Sequence, residues 1–305
     1  MYTVKMTPAL KVENLVKDYG RLRAVNHVSF EVAPGEIFGL LGPNGAGKTS
    51  IISVIVTLEK ASTGKASVFG HDVVTDARQA KVCTGLVPQE IINHGFFSVE
   101  EVLHFISGFF GRRHNRERID YLLHRLALWD HKHKKVKELS GGMKRRLMIA
   151  KALVHQPKLL LLDEPTAGVD IELRATLWEF VKDLKKEGVS ILLTTHYLEE
   201  AEHLCDRVAI LHKGQILKSG LTRELVRDLT TRTVRFELKQ TLTPISHPLL
   251  VNQSQTQWEF CLPSAMGVGE LLASLRLDPR MVQDIQIIEG DLEDAFRRIV
   301  KEGQV

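Results

Sequence analysis

Residues 42–49 read Gly-Pro-Asn-Gly-Ala-Gly-Lys-Thr and join two apolar stretches, residues 36–41 and 48–58. The first stretch predicts a short buried strand and the second a helix. The octet matches the pattern G-x-x-x-x-G-K-[ST] in the strand, loop and helix context that this pattern requires. Its glycines let backbone N–H groups surround phosphate oxygens, and the helix N-terminus adds a positive dipole end. We expect Lys48 to reach the outer phosphates and Thr49 to ligate Mg²⁺.

Two carboxylates follow a run of four leucines. Residues 159–162 predict a buried strand, and Asp163 and Glu164 come at its carboxyl end. Ligands of open parallel sheets bind at that edge. We expect Asp163 to hold Mg²⁺, directly or through water, and Glu164 to polarise an attacking water. The alternative is that the pair only caps a helix before Pro165.

A second glycine-containing segment, residues 139–143, precedes a predicted helix over about residues 143–155. The first turn of this helix carries the basic residues Lys144, Arg145 and Arg146. Cations are unfavourable at a helix N-terminus unless an anion binds there. The Ser140 hydroxyl and the N–H groups of Gly141 and Gly142 therefore form a second candidate phosphate site. Alternatively, Ser140 is an ordinary N-cap and the basic side chains are solvated.

The composition is that of an ordinary folded protein. Apolar residues make up 44% and charged residues 26% of the 305, which argues against disordered, collagen-like and low-complexity chains. No run approaches the roughly 18 apolar residues that a membrane-spanning helix needs. Residues 1–14 lack an apolar signal segment, so we expect a cytoplasmic compartment. The net charge of +4 is too mild to imply nucleic acid and suits a phosphate ligand or nearby anionic lipid.

The chain resembles the ATP-binding subunit of an ABC transporter. The resemblance rests on the order of the 42–49 loop, the Leu-Ser-Gly-Gly segment, the Leu-Leu-Leu-Leu-Asp-Glu strand and His196, over roughly residues 8–225. Leu-Ser-Gly-Gly-Met-Lys-Arg and Thr-Thr-His-Tyr-Leu-Glu-Glu-Ala-Glu are similar in style to bacterial ABC-2 type exporters of the daunorubicin-resistance kind. Those exporters also end in a Leu-Glu-Asp-hydrophobic-Phe element, which residues 292–296 match.

The sequence patterns and the resemblance together predict an α/β fold. We expect a phosphate-loop NTPase (RecA-like) mixed sheet, because a helix over residues 171–186 lies between strands at 159–162 and 191–194. An antiparallel β subdomain is expected around residues 28–32, and a helical subdomain over about residues 90–155. The predicted domains are an ABC ATP-binding domain over residues 8–228 and a small α+β accessory or regulatory domain over residues 231–305.

The resemblance implies roles for four further residues. Tyr19 would stack on adenine, and Gln89 would reach Mg²⁺ and sense the membrane partner. Asp170 would communicate across a dimer, and His196 would contact the γ-phosphate. From the residues alone, Tyr19 could equally be a strand-edge aromatic and Gln89 a loop amide. The predicted ATP site thus comprises Tyr19, Gly42, Pro43, Asn44, Gly45, Ala46, Gly47, Lys48, Thr49, Ser50, Ser140, Gly141, Gly142 and Asp170, with Thr49, Gln89 and Asp163 as Mg²⁺ ligands and Glu164, His196 and Gln89 as catalytic residues.

The resemblance also implies two partners. A second copy would close Ser140 to Gly142 onto ATP held by the 42–49 loop, which would account for two anion-binding helix ends but one set of Mg²⁺ ligands. A separate ABC-2 permease would dock near Gln89 and the aromatic residues Phe96, Phe97, Phe105 and Phe109. We therefore expect the chain on the cytoplasmic side of the inner membrane, held there through the permease, with no nucleic acid partner.

Two other function classes remain open from the sequence. A soluble ABC ATPase acting on ribosomes or DNA would usually carry a second cassette or a long coiled coil, and neither is found here. A module in which nucleotide acts only as a switch would lack the base or a Mg²⁺ ligand, whereas Thr49, Asp163 and Glu164 are all present. Met143 replaces a more usual glutamine, which puts a side-chain contact from that position in doubt.

Overall fold

The computed structural model describes residues 7–91, 95–167, 171–240, 245–263, 266–275, 277–288 and 290–302. The chain divides into two compact units, the first ending at Ser219 and the second beginning at Gly220. The domain boundary predicted from the sequence, at residues 228–231, lies further along the chain. The helix between these two positions belongs to the second unit. Within the described ranges, no helix is both long and apolar enough to cross a bilayer.

The first unit is built from α-helices and from parallel and antiparallel strands. Its strands are β1 (Leu10–Tyr19), β2 (Leu22–Val32), β3 (Ile37–Leu41), β4 (Thr63–Val68), β5 (His71–Asp72), β6 (Thr84–Val87), β7 (Leu159–Asp163), β8 (Ser190–Thr195), β9 (Arg207–His212) and β10 (Gln215–Leu221), which runs across the division. Its helices are α1 (Lys48–Ile55), α2 (Ala77–Cys83), α3 (Val99–Phe109), α4 (Arg116–Arg125), α5 (Gly141–Leu153), α6 (Ile171–Lys186) and α7 (Leu198–Leu204), with 3-10 turns at Trp129–His131 and Val136–Glu138.

The central sheet has the strand order β10-β9-β3-β8-β7-β6. Strands β9, β3, β8, β7 and β6 pair in parallel. Every residue of β3, β7 and β8 is buried, as in parallel sheets that are covered on both faces. Leu41 lies opposite Thr195, and Asp163 lies opposite Thr194. The sheet therefore brings the start of the glycine loop, the two carboxylates and the end of β8 to one edge.

A second, antiparallel sheet has the order β2-β1-β4-β5. Its apolar side chains share a core with the central sheet and α1, and the rings of Phe30 and Phe38 stack with their centroids 5.3 Å apart. The predicted strand at residues 28–32 is the second half of β2. Strand β1 was not predicted, because lysines and glutamates such as Lys11 and Glu13 interrupt its alternation.

The chain between β6 and β7 is mainly helical. Ser98 and Glu101 form a reciprocal capping box at the start of α3. Ser140 caps α5, which begins at Gly141, two residues earlier than predicted. Helices α3, α4 and α5 contact one another through buried side chains.

The second unit combines a four-stranded sheet with three helices among its described residues. Its elements are α8 (Thr222–Leu229), β11 (Arg232–Leu238), β12 (Leu250–Gln253), β13 (Gln257–Leu262), α9 (Val268–Leu275), a 3-10 turn (Pro279–Met281), β14 (Val282–Ile288) and α10 (Leu292–Glu302). The sheet order is β12-β13-β11-β14, with antiparallel neighbours. Phe236, Phe260 and Leu271 lie in its core, and α10 packs against α8. The predicted α/β fold with a small α+β addition is thus confirmed.

Candidate nucleotide-binding and hydrolysis site

The glycine loop joins the end of β3 to the first residue of α1. Gly45 and Gly47 have left-handed φ values of 79° and 107°, which favour glycine. A Cβ atom on Gly47 would also collide with the carbonyl oxygen of Ala24, and one on Gly42 with that of Leu211. The loop therefore lies directly against neighbouring backbone, and α1 begins where it ends, so its free N–H groups and positive dipole end favour an anion.

Lys48 is the first residue of α1 and is only 4% exposed. Its ammonium donates hydrogen bonds to the carbonyl oxygens of Gly42, at 2.7 Å, and Pro43, at 3.1 Å. The same Nζ atom lies 3.2 Å from Oε1 of Glu164. All three partners are oxygen atoms, so phosphate oxygens are chemically equivalent alternatives for this buried cation.

Asp163 ends β7 and is surrounded by hydroxyl groups. Thr194 donates a hydrogen bond from its Oγ1 to Oδ1 of Asp163, and the Thr49 hydroxyl is a second hydrogen-bond partner. Burial raises the pKa of Asp163, while these two hydrogen bonds oppose the rise. A carboxylate beside a threonine hydroxyl provides the hard oxygen donors that Mg²⁺ prefers, so Thr49 and Asp163 fit the predicted metal site.

Glu164 follows with an unusual backbone and a buried side chain. Its φ of 46° lies in the left-handed region, and its N–H donates to the Thr194 carbonyl oxygen at 3.0 Å. The carboxylate is 5% exposed, and its Oε2 accepts a hydrogen bond from Nε2 of Gln89 at 3.1 Å. Nδ1 of His196 lies 3.2 Å from the same Oε2 atom. The structure therefore brings two of the predicted catalytic residues, Gln89 and His196, to the carboxylate of the third, Glu164.

A cavity of about 310 Å³ lies over the glycine loop. Most of the predicted site lines it, namely Tyr19, Asn44, Gly45, Ala46, Gly47, Lys48, Thr49, Ser50, Gln89 and Glu164. Tyr19 is 41% exposed there, and the Lys17 ammonium lies 4.7 Å from its ring centroid. Leu22 and Ala24, which begin β2, complete the lining. Sequence reasoning missed both, although the exposed Leu22 directly follows the turn after Tyr19.

The Ser140 segment lies elsewhere in the first unit. None of residues 140–142 belongs to the described lining of this cavity. The hydroxyl of Ser140 accepts a hydrogen bond from the Met143 N–H at 3.3 Å, and Ser140 and Gly141 are exposed. Ser140 is therefore the N-cap of α5, at an exposed helix end. Asp170 lies outside the described residues.

Two of the three basic residues after Gly142 do not have the surroundings that the sequence analysis considered. Arg145 is 4% exposed and donates hydrogen bonds to the carbonyl oxygens of Pro88, Gln89, Glu164 and Pro165. Arg146 donates to the carbonyl oxygen of Leu126 at 3.2 Å. Both guanidinium groups thus donate to backbone carbonyls of neighbouring segments, so a phosphate is not needed to explain cations at this helix end.

Comparisons with known proteins identify the family of the chain. The sequence matches the family model described as ABC transporter over residues 25–167. It is 38% identical over 244 residues to the linearmycin resistance ATP-binding protein LnrL of Bacillus subtilis (strain 168), covering 79% of this chain and 78% of that protein. It is 43% identical over 225 residues to Nod factor export ATP-binding protein I of Rhizobium meliloti (strain 1021), covering 73% of this chain and 67% of that protein.

A likeness to solved structures covers a similar share of the chain. The structure of an ATP binding subunit of an ABC transporter superimposes with a TM-score of 0.67 at 29% sequence identity, covering 72% of this chain and 92% of that chain. The sequence relatives match over more than two thirds of this chain, and the matched family region includes the glycine loop, Asp163 and Glu164. The chain therefore belongs to the ABC transporter family, as one of its ATP-hydrolysing, ATP-binding proteins.

Proposed function

We propose that this ABC ATPase drives an exporter, using the carboxylate of Glu164 as general base. The observation that carries the proposal is the arrangement of Gln89, His196 and Lys48 around one buried carboxylate next to Asp163. The export direction is supported by the names of relatives, which describe linearmycin resistance and Nod factor export.

Each side chain has a distinct task in this mechanism. Lys48 and the loop N–H groups bind the phosphates, and Tyr19 stacks on the adenine at the open end of the cavity. Thr49 and Asp163 would hold Mg²⁺, with Gln89 able to reach it; the bound ion would neutralise phosphate charge. Glu164 accepts the proton of the attacking water, while Gln89 and His196 fix the orientation of its carboxylate.

The exposed Ser140 end of α5 supports a dimer in which two copies share each ATP. Its N-cap hydroxyl and the N–H groups of Gly141 and Gly142 suit a phosphate, yet they are not in this chain's own cavity. A second copy, arranged head to tail, supplies the missing contact. Asp170 is assigned to communication between the two copies because its place after the Asp163 strand matches that of the family's aspartate.

A group of exposed aromatic residues supports a separate ABC-2 permease as the membrane partner. Phe96, Phe105 and Phe109 are strongly exposed, and the rings of Phe97 and Phe105 pack 5.3 Å apart. Such a patch on a folded domain is typical of an interaction surface. We therefore assign the chain to the cytoplasmic face of the inner membrane, where this patch docks onto the permease.

The central test replaces Glu164 by glutamine, with Glu199→Gln as the matched control because Glu199 is exposed. Glu164→Gln should bind ATP but lose turnover by a factor on the order of 10² or more, since it keeps the shape and loses the base. It should also elute as a dimer with ATP and Mg²⁺. Near wild-type turnover would refute the base, and ATP-bound monomers would refute the shared site.

The partner is tested by purifying the tagged chain from native membranes. We expect a multi-span permease to co-purify with the wild type and to be lost from a Phe105→Glu, Phe109→Glu double variant. Ribosomal or chromosomal proteins in its place would favour the soluble ABC ATPase. A permease that is retained by the double variant would show that the aromatic patch is not the docking surface.

A further inference from the structure

Arg145 makes contacts that none of the roles above explains. Its Nε donates to the Pro165 carbonyl oxygen at 2.9 Å, and its Nη2 to that of Glu164 at 2.8 Å. Its Nη1 donates to the carbonyl oxygens of Pro88, at 2.7 Å, and Gln89, at 3.0 Å. One guanidinium therefore joins two backbone segments, and each segment carries a side chain of the proposed catalytic group.

The chemistry of the contact requires a guanidinium. Arg145 is 4% exposed, and burial lowers its pKa although the charges of Asp163 and Glu200 oppose this. A buried cation is costly unless charges and hydrogen bonds compensate it, and here four backbone carbonyl oxygens accept its hydrogen bonds. The planar fork of arginine can donate in several fixed directions at once, whereas the ammonium of lysine is compact and cannot span both segments.

The two segments also meet through their side chains. Nε2 of Gln89 donates to Oε2 of Glu164 at 3.1 Å, so the side chains touch while Arg145 holds the backbones. The separation of these backbones determines whether the amide reaches the carboxylate. Arg146, the next residue, donates to the Leu126 and Ala127 carbonyl oxygens and contacts neither segment.

We infer that Arg145 is a positioning residue for ATP hydrolysis, which holds the Gln89 and Glu164 segments at the separation that catalysis needs. This inference rests on the proposed roles of Gln89 and Glu164. Because Arg145 lies on α5, only one helical turn from Gly141, it also links the exposed Ser140 end of that helix to the backbone at Glu164 and Pro165. Its hydrogen bonds go to residues 88–89 and 164–165 and not to the glycine loop, so we expect Arg145 to affect turnover more than ATP binding.

The test compares Arg145→Met and Arg145→Lys with the matched control Arg146→Met in the full-length chain. We expect Arg145→Met to lower kcat by about 10- to 100-fold, as small misplacements of catalytic groups do. The KM for ATP should change by less than about threefold, because the lost interaction acts on turnover. Arg145→Lys should recover only a small part of the loss, because an ammonium can donate to one of the two segments but cannot span both. Arg146→Met should lower Tm at most, with kcat unchanged per folded molecule.

A double-mutant cycle separates positioning from general stabilisation. Arg145→Lys combined with Gln89→Ala should lose less kcat than the product of the single losses, because both changes disturb the same contact. The inference is overturned if the losses multiply, if kcat of Arg145→Lys and Arg145→Met is unchanged, or if only Tm falls. If Glu164→Gln retains turnover, the proposed function itself fails. A dead Glu164→Gln beside fully active Arg145 variants removes this inference alone.

Discussion

Asp163 and Glu164 are neighbours with different surroundings, and this difference assigns their roles. Asp163 lies against the hydroxyls of Thr49 and Thr194, oxygen donors of the kind that Mg²⁺ prefers. The backbone of Glu164 is in the left-handed region, and its carboxylate lies against nitrogen atoms of Gln89 and Lys48. A non-glycine residue in this region costs of order 1–3 kcal/mol and persists only where its surroundings hold it there, and such residues cluster at active sites. In the proposed mechanism, this backbone conformation separates the base, Glu164, from the metal ligand, Asp163.

Glu200 is a further buried carboxyl, on α7 close to His196 in the sequence, and it makes stability depend on pH. It is 1% exposed, and the Trp178 indole N–H donates to its Oε1 at 3.3 Å. Burial is the largest influence and raises the pKa of Glu200, while hydrogen bonds with Thr195 and Thr166 oppose the rise. A raised pKa in the folded state means that the folded protein binds the proton more readily than the unfolded chain. The carboxylate therefore destabilises the fold above the folded pKa, and this cost is relieved as pH falls toward the unfolded value.

We expect Glu200→Gln to raise the free energy of unfolding at pH 8 by about 0.5–3 kcal/mol, the usual size of a single-residue effect. The gain should shrink as the pH is lowered from 8 through the raised folded-state pKa, because the wild-type carboxyl becomes neutral there. Urea titrations of both proteins across this range measure the difference. Glu199→Gln, at an exposed neighbouring position, should show no such trend. A gain that is the same at every pH would show that the pKa of Glu200 is not raised.

At the scale of elements, the site is assembled by the ends of parallel strands and by one helix. Strands β3, β7 and β8 deliver the glycine loop, the two carboxylates and His196 to one edge of the sheet. Helix α5 has the exposed Ser140 at its N-terminal end and the buried Arg145 about one turn further on. The Arg145 guanidinium donates to both the Gln89 and the Glu164 segments, so this helix is fastened to both.

The parts of the site that the sequence predicted were those fixed by local pattern. The glycine loop has a spacing that only a strand, loop and helix can satisfy, and the carboxylates after the leucine run follow from the end of a buried strand. Arg145 could not be predicted in this way. Whether a basic residue in the first turn of a helix faces solvent, an anion or buried carbonyls depends on what packs against that face. Here the partners are residues 88–89 and 164–165, which are distant in sequence.

The same reasoning explains the lining that sequence analysis missed. Leu22 and Ala24 reach the cavity because β1 and β2 form a hairpin beside the glycine loop. No property of either residue indicates a ligand. Their position depends on the packing of the antiparallel sheet against the central one, and this is a property of the whole first unit.

At the scale of the whole molecule, the two compact units have separate cores, which makes the role of the second unit testable by truncation. Helix α8 belongs to the second unit and packs against α10, where Leu292 and Ala295 are buried. A chain ending at Thr230 would keep α8 but lose this cover for the apolar side chains of Leu225 and Leu229. A chain ending at Leu221 retains all of β10 and removes α8 as well.

We expect the chain that ends at Leu221 to unfold cooperatively and to hydrolyse ATP, because the glycine loop, Asp163 and Glu164 lie in the first unit. The chain that ends at Thr230 should aggregate more readily, since it exposes the apolar face of α8. If the second unit stabilises the dimer, the Leu221 truncation combined with Glu164→Gln should need a higher protein concentration to dimerise with ATP. Sedimentation with and without ATP measures this. Unchanged dimerisation, ATPase rate and permease coupling would rule out a regulatory or dimer-stabilising role, and would leave the second unit as a separately folded addition.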